Sequence, residues 1–128
     1  MREPIVLNWA GGEHPFLLRI GEMIALEKAC GSGIAPVFAR LRSSLTGAPT
    51  WHVADITETL RLGMIGGGIP RQEAQEIVSV TVDRVGLMAL APTAMSVLFA
   101  SLKSDGDEEE DDGDTADSKQ KKKVTRQP

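Results

Sequence analysis

The chain has 128 residues and a formal net charge of −4, a length that suits one domain. Nine acidic and nine basic residues balance up to Lys103, while nine acidic and five basic residues follow from Ser104 onward, so all of the excess negative charge sits in the last stretch. A neutral globular part has no electrostatic footprint for a phosphate backbone, which argues against nucleic acid as a partner.

The single cysteine, Cys30, permits no internal disulfide and suits a reducing, cytoplasmic setting. No secretory signal is visible in Met-Arg-Glu-Pro. The longest apolar stretch, Leu87 to Leu102, is broken by Pro92, Thr93, Ser96 and Ser101. It falls short of the roughly 20 residues that a membrane span requires, so no membrane association is expected.

In chain order, Ile5–Trp9 and Pro15–Arg19 are short β-prone runs around Ala10-Gly11-Gly12-Glu13-His14. Two such runs joined through glycines predict a β-hairpin, with Pro4 and Pro15 at strand starts. A lone hairpin is marginal in water and must lay its apolar face on something else. Gly21 to Ala29 is rich in helix formers, with Met23, Leu26 and Cys30 on one stripe and Gly31 as a stop. Ile34, Val37, Phe38, Leu41 and Leu45 recur at the spacing of a helix with one buried face.

Asp55 followed by Glu58 predicts a capped helix start, with Ile56, Leu60 and Met64 on the inner side and Gly66-Gly67-Gly68 as the end. Pro70 opens the next helix, whose stripe is Ala74, Ile77, Val78, Thr81 and Val85, and Gly86 closes it. A last helix from about Pro92 to Leu102 presents Met95, Leu98, Phe99 and Leu102. The expected fold is α+β but mainly α: an N-terminal hairpin followed by four to five short helices over residues 1–103. Residues 104–128 form an acidic-then-basic tail. They carry Asp107–Asp112 as a like-charge block and then Lys119-Gln120-Lys121-Lys122-Lys123, with too little apolar surface to offset ordering, and disorder is expected there.

Signals for chemistry are sparse. His14 and His52 share no ligand spacing with Cys30, so no metal or other cofactor is expected. Gly66-Gly67-Gly68 lacks the lysine and hydroxyl residue of a phosphate loop and reads as a helix terminator. A reaction centre would require Cys30, His52 and Glu58 to converge on one point. Without that, the acidic residues fall where helix surfaces need charge, and no catalytic residue is assigned. Trp9 and Trp51 are the candidate partner-binding residues, since tryptophan is enriched at interface hot spots; the plainer reading has them covering the edge of a small core. A helix-turn-helix regulator remains a rival, with Arg71, Gln72, Gln75 and Arg84 set against Glu73, Glu76 and Asp83.

The order of features also resembles a known family. The stretch Leu18, Gly21, Leu26, Glu27 and Gly31, then Asp55 and Leu60 on a helix that runs into Gly66, Gly67 and Gly68, is similar to the phage tail assembly chaperone family of gene transfer agents and related prophages. The resemblance spans about residues 5 to 102 and leaves the tail outside. It implies a non-catalytic cytoplasmic chaperone that binds the tape-measure protein while tail-tube protein polymerises around it. The alternative within the same family is a minor structural tail (tube) component. The implied partners are therefore the tape-measure and tail-tube proteins, with a homo-oligomer also open. The family carries no catalytic residues to transfer.

Overall fold

A computed structural model describes residues 3–103. The expected disorder of 104–128 lies outside the described residues. An antiparallel hairpin of β1 (Ile5–Trp9) and β2 (Gly12–Phe16) leads into α1 (Ile20–Cys30), α2 (Ile34–Arg42), a 3-10 turn at Ser43–Leu45, α3 (Val53–Gly66), α4 (Arg71–Val85) and α5 (Leu87–Leu102). The expected mainly helical α+β class is the one observed.

The hairpin register pairs Ile5 with Phe16, Leu7 with His14 and Trp9 with Gly12. The turn is thus Ala10-Gly11, and the second strand starts earlier than the expected Pro15–Arg19. Pro15 lies inside β2, not at its start. His14, expected in the connection between the strands, is a strand residue whose Nδ1 accepts the Trp9 indole N–H at 2.9 Å. Trp9 also meets Phe16 edge to face at 5.7 Å, an arrangement that aromatic quadrupoles favour.

Helix ends follow local chemistry. The Glu22 carboxylate reaches back to the Arg19 N–H at 2.9 Å and satisfies one orphan donor at the start of α1. Gly31 ends α1 in the left-handed conformation, φ 63°, where a Cβ would be strained. Glu27 then does a second job: its carboxylate accepts the Ile34 N–H at 2.9 Å and caps α2 from the preceding helix. In α3 the cap differs from expectation. His52 is the N-cap, and Asp55 is the third helical residue, its carboxylate taking the His52 N–H at 2.8 Å.

Helix α3 is the centre of the molecule and packs against α1, α4, α5 and β2. Ile56, Leu60 and Met64 are buried as expected, but so are Asp55, Thr59, Leu62, Gly63 and Gly66, because neighbours enclose α3 on several sides. The core adds Phe16, Leu18, Leu26, Val37, Leu41, Val78, Leu90, Val97 and Leu98. Two stripes need correction. Leu45 is 62% exposed, because α2 ends at Arg42 and the 3-10 turn changes the helical phase. Helix α5 starts at Leu87, five residues before Pro92. Proline at that point forfeits one hydrogen bond to the carbonyl four residues back, while the added turn buries Leu90 and Ala91. The buried face becomes Leu90, Ala91, Ala94, Val97, Leu98 and Ser101, and the expected stripe residues Phe99 and Leu102 are exposed.

Candidate functional site

Among the residues singled out from the sequence, two groups meet in space. The first is a polar knot where α1, α2 and α3 converge. Arg40 of α2 grips Asp55 of α3 with two parallel bonds, Nε to Oδ2 at 2.7 Å and Nη2 to Oδ1 at 2.8 Å. Such a fork-on-carboxylate geometry is among the strong protein hydrogen bonds. Arg40 Nη1 also donates to Ser32 Oγ at 3.3 Å. Asp55 is fully buried, which works against its charge. The Arg40 bonds, the His52 N–H and the nearby Arg40 charge together outweigh that cost and hold its carboxyl below the usual range. Burial pushes the Cys30 thiol up, the adjacent Asp55 carboxylate pushes it further, and it reaches about 12.

This arrangement decides what the three candidate reactive groups can do. Cys30 is held as a thiol against Asp55, and the thiol form is not the nucleophilic one. Glu58 is paired with Arg61 along α3 at 2.5 Å. His52 contributes its backbone to the knot while its side chain is exposed. Glu58 still lies near enough to Cys30 to push its thiol slightly further up, while among the described residues no contact joins the His52 side chain to either. Among the described residues, no group of three or more His, Cys, Asp or Glu side chains is placed to hold a metal ion.

The second group is the glycine end of α3. Expected as terminators, these glycines form the seat of the strand that leaves the hairpin. The Leu17 N–H donates to the Gly63 carbonyl at 2.9 Å. A Cβ on Gly63 would sit 3.0 Å from Val97 Cγ1 and 3.1 Å from Phe16 Cδ2. A Cβ on Gly66 or Gly67 would run into the carbonyl oxygens of Leu17 and Pro15 respectively. Only Gly68, at φ 113°, is required for its backbone angle. The neighbouring motif residue Leu18 is fully buried, and its N–H donates to Ser101 Oγ of α5 at 3.0 Å. Leu26 and Leu60 are core residues, and nothing in the structure explains Gly21, which faces open space.

Both tryptophans are half-buried against the core. Trp9 lines a shallow groove between β1 and α5 together with Leu7, Asn8, Pro92, Thr93 and Ser96. That groove went unnoticed in the sequence, since it arises where strand and helix happen to run side by side. Helix α5 beside it carries no charged residue, yet Met88, Phe99 and Leu102 are exposed on it. Phe99 stacks on Phe38 of α2 at 6.1 Å. Among the described residues, no helix is long and apolar enough to cross a membrane.

A hairpin seated on the glycine end of a central helix, with polar groups spent on holding helices together, defines a mainly helical α+β domain. The chain belongs to the family described as phage tail tube protein, GTA-gp10, whose model matches residues 2–104. That is a family of phage and gene-transfer-agent tails. No curated protein and no solved structure matches the chain.

Proposed function

We propose that this chain is a non-catalytic binding protein of tail construction and that it enters the tail as a minor component of the tube. The observation that supports this reading is the family match, which runs over residues 2–104 and carries the description of a tail tube protein. The use of polar groups agrees with it. Arg40, Asp55, Arg61 and Glu58 fasten helices to each other or to themselves, which suits a rigid building block. Residues 1–103 act as the folded unit in this reading, and 104–128 as an appended charged tail.

A second reading, an assembly chaperone for the tape-measure protein, is favoured by a different observation. Helix α5, which has no charged residue of its own, leaves Met88, Phe99 and Leu102 exposed, with Lys103 over the Phe99 ring at 5.5 Å, and an apolar helix face of this kind suits a transient helical partner. In that case the chain works in the cytoplasm with the tape-measure and tube proteins and departs before the particle is complete.

Counting the protein in purified particles separates the two. Recovery at the copy number of a structural subunit supports the tube reading. Absence from particles, combined with failed tail assembly in its absence and capture by the tape-measure protein, overturns the tube reading in favour of the chaperone.

A further inference from the structure

Three rings share the inner face of the hairpin. The register pairs Ile5 with Phe16, Leu7 with His14 and Trp9 with Gly12, and partners across a ladder point to the same side. Trp9 and His14 are half-buried there, and Phe16 is buried. The indole of Trp9 is clasped from three directions. Its N–H donates to His14 Nδ1 at 2.9 Å, and its ring meets Phe16 edge to face with centroids 5.7 Å apart. Its benzo side lies over Gly11, where a Cβ would come within 2.5 Å of Trp9 Cζ2. The missing side chain at Gly11 is what makes room for the indole.

This bond fixes the chemistry of the imidazole. An indole nitrogen can only donate, so Nδ1 must offer a lone pair, and the proton of the neutral ring sits on Nε2. An imidazolium carries protons on both nitrogens and would set donor against donor across the same 2.9 Å. Nor would the new charge meet a π face. The indole points its N–H edge at the imidazole, with the two rings inclined at 64°, and a ring edge is the positive part of its quadrupole. The surrounding charges do not replace the bond. Glu13 points to the opposite face by strand alternation. Helix α4 brings Glu76 and Arg84 beside Gly11, and Arg84 already donates to the Ala10 carbonyl. Helix α5 carries no charged residue. Helix α3 meets the hairpin through Gly63, Gly66 and Gly67, while its Asp55 is bonded to Arg40 and its Glu58 to Arg61.

We propose that His14 is a proton-operated latch on Trp9: the neutral imidazole holds the indole against Phe16, and protonation releases it and reshapes the groove between β1 and α5. Trp9 lines that groove together with Leu7, Asn8, Pro92, Thr93 and Ser96, so the state of His14 decides what surface the groove offers. The element with two positions is the Trp9 side chain. The chain leaving β2 is held independently, by the Leu17 N–H on the Gly63 carbonyl and the Leu18 N–H on Ser101 Oγ. Imidazole is the side chain whose charge ordinarily changes between about pH 5 and pH 8. The Asp55 carboxyl, held below the usual carboxylate range, keeps its charge throughout that window. The latch rests on the hairpin geometry and stands apart from the choice between tube component and chaperone.

The test is heteronuclear NMR of the full-length chain between about pH 8 and about pH 5. At the upper end the His14 ring should carry its proton on Nε2, and the Trp9 indole N–H should be shielded from exchange with water. As His14 takes up its second proton, that shielding should be lost and the Trp9 indole signal should move on the same curve, while the backbone amides of α3 stay protected. His14→Asn sets a carbonyl oxygen near the place of Nδ1 and cannot titrate, so the indole should stay shielded at both ends of the range. His14→Phe keeps a ring without an acceptor and should leave the indole unshielded at both. A proton on Nδ1 at about pH 8 would overturn the proposal. So would a Trp9 signal that does not follow His14, or an Asn variant that titrates as the parent does. Loss of α3 amide protection together with the indole would also overturn it, since that is unfolding and not release of one side chain.

Discussion

The carbonyl oxygen of Leu17 occupies the space that a side chain on Gly66 would need. The chain leaving the hairpin thus lies directly on the backbone of α3, and the missing side chain is what lets it approach. In an ordinary helix, replacing glycine by alanine stabilises by up to about 1 kcal/mol. At Gly66 the sign should reverse: Gly66→Ala should cost roughly 2–4 kcal/mol, because backbone, not a flexible side chain, must move. Gly21→Ala, on α1 with open space around it, should be neutral or stabilising by up to about 1 kcal/mol. Urea unfolding of the two variants checks the contrast, and equal effects would show that the close approach is absent.

The Arg40–Asp55 pair should set the acid limb of stability. The Asp55 carboxyl is held below its ordinary range in the folded chain, so on acidification the unfolded chain takes up the proton first. Stability from this group is therefore complete above about pH 4 and is lost as pH falls through the folded value. Asp55→Asn should cost about 3 kcal/mol at neutral pH, near the lower end for a broken buried pair because Arg40 keeps some solvent contact. The same variant should flatten the acid limb. Stability measured from pH 7 to pH 2 for both proteins gives the answer, and an unchanged acid limb would refute the assignment.

Cys30 should act at the alkaline end with the opposite sign. Its thiol is pushed up to about 12 in the folded chain, whereas an unfolded cysteine ionises near pH 8.5. Stability should fall as pH rises above about 8.5, and Cys30→Ala should lessen that slope. At pH 8 the native thiol should also react with a disulfide reagent far more slowly than the denatured one. Equal rates would mean that Asp55 and burial do not hold the proton.

The phase change after α2 is testable with two leucines from one apparent stripe. Leu41 is fully buried, and Leu41→Ala should cost roughly 2–5 kcal/mol. Leu45 is exposed, and Leu45→Ala should stay within about 0.5 kcal/mol. A large effect at Leu45 would restore the longer helix that the spacing predicts.

Residues 105–128 lie outside the family match and hold almost no apolar side chain. Deleting them should leave the melting temperature almost unchanged, since the segment has little to bury. A marked fall in a thermal scan would mean that the tail docks on the domain.

Much of this architecture was legible in the chain. Helical spacing found the inner face of α3 at Ile56, Leu60 and Met64 and that of α4 at Ala74, Val78 and Thr81, because a 3.6-residue period is a local property. Gly31 and Gly86 marked helix ends for the same local reason. The strand boundary was misplaced because Pro15 reads as a strand start, although alternation carries β2 through it. The face of α5 was misjudged because a helix with no charged residue has no polar side to contrast with.

What local pattern decided by itself, then, is which segments coil or extend, since backbone preference and periodicity act within a few residues. Only the folded chain decided that Asp55 faces Arg40 and that the glycines after Met64 are a seat for Leu17 and Pro15. These contacts join residues distant along the chain, and their existence depends on how α3 is enclosed rather than on any neighbour in sequence.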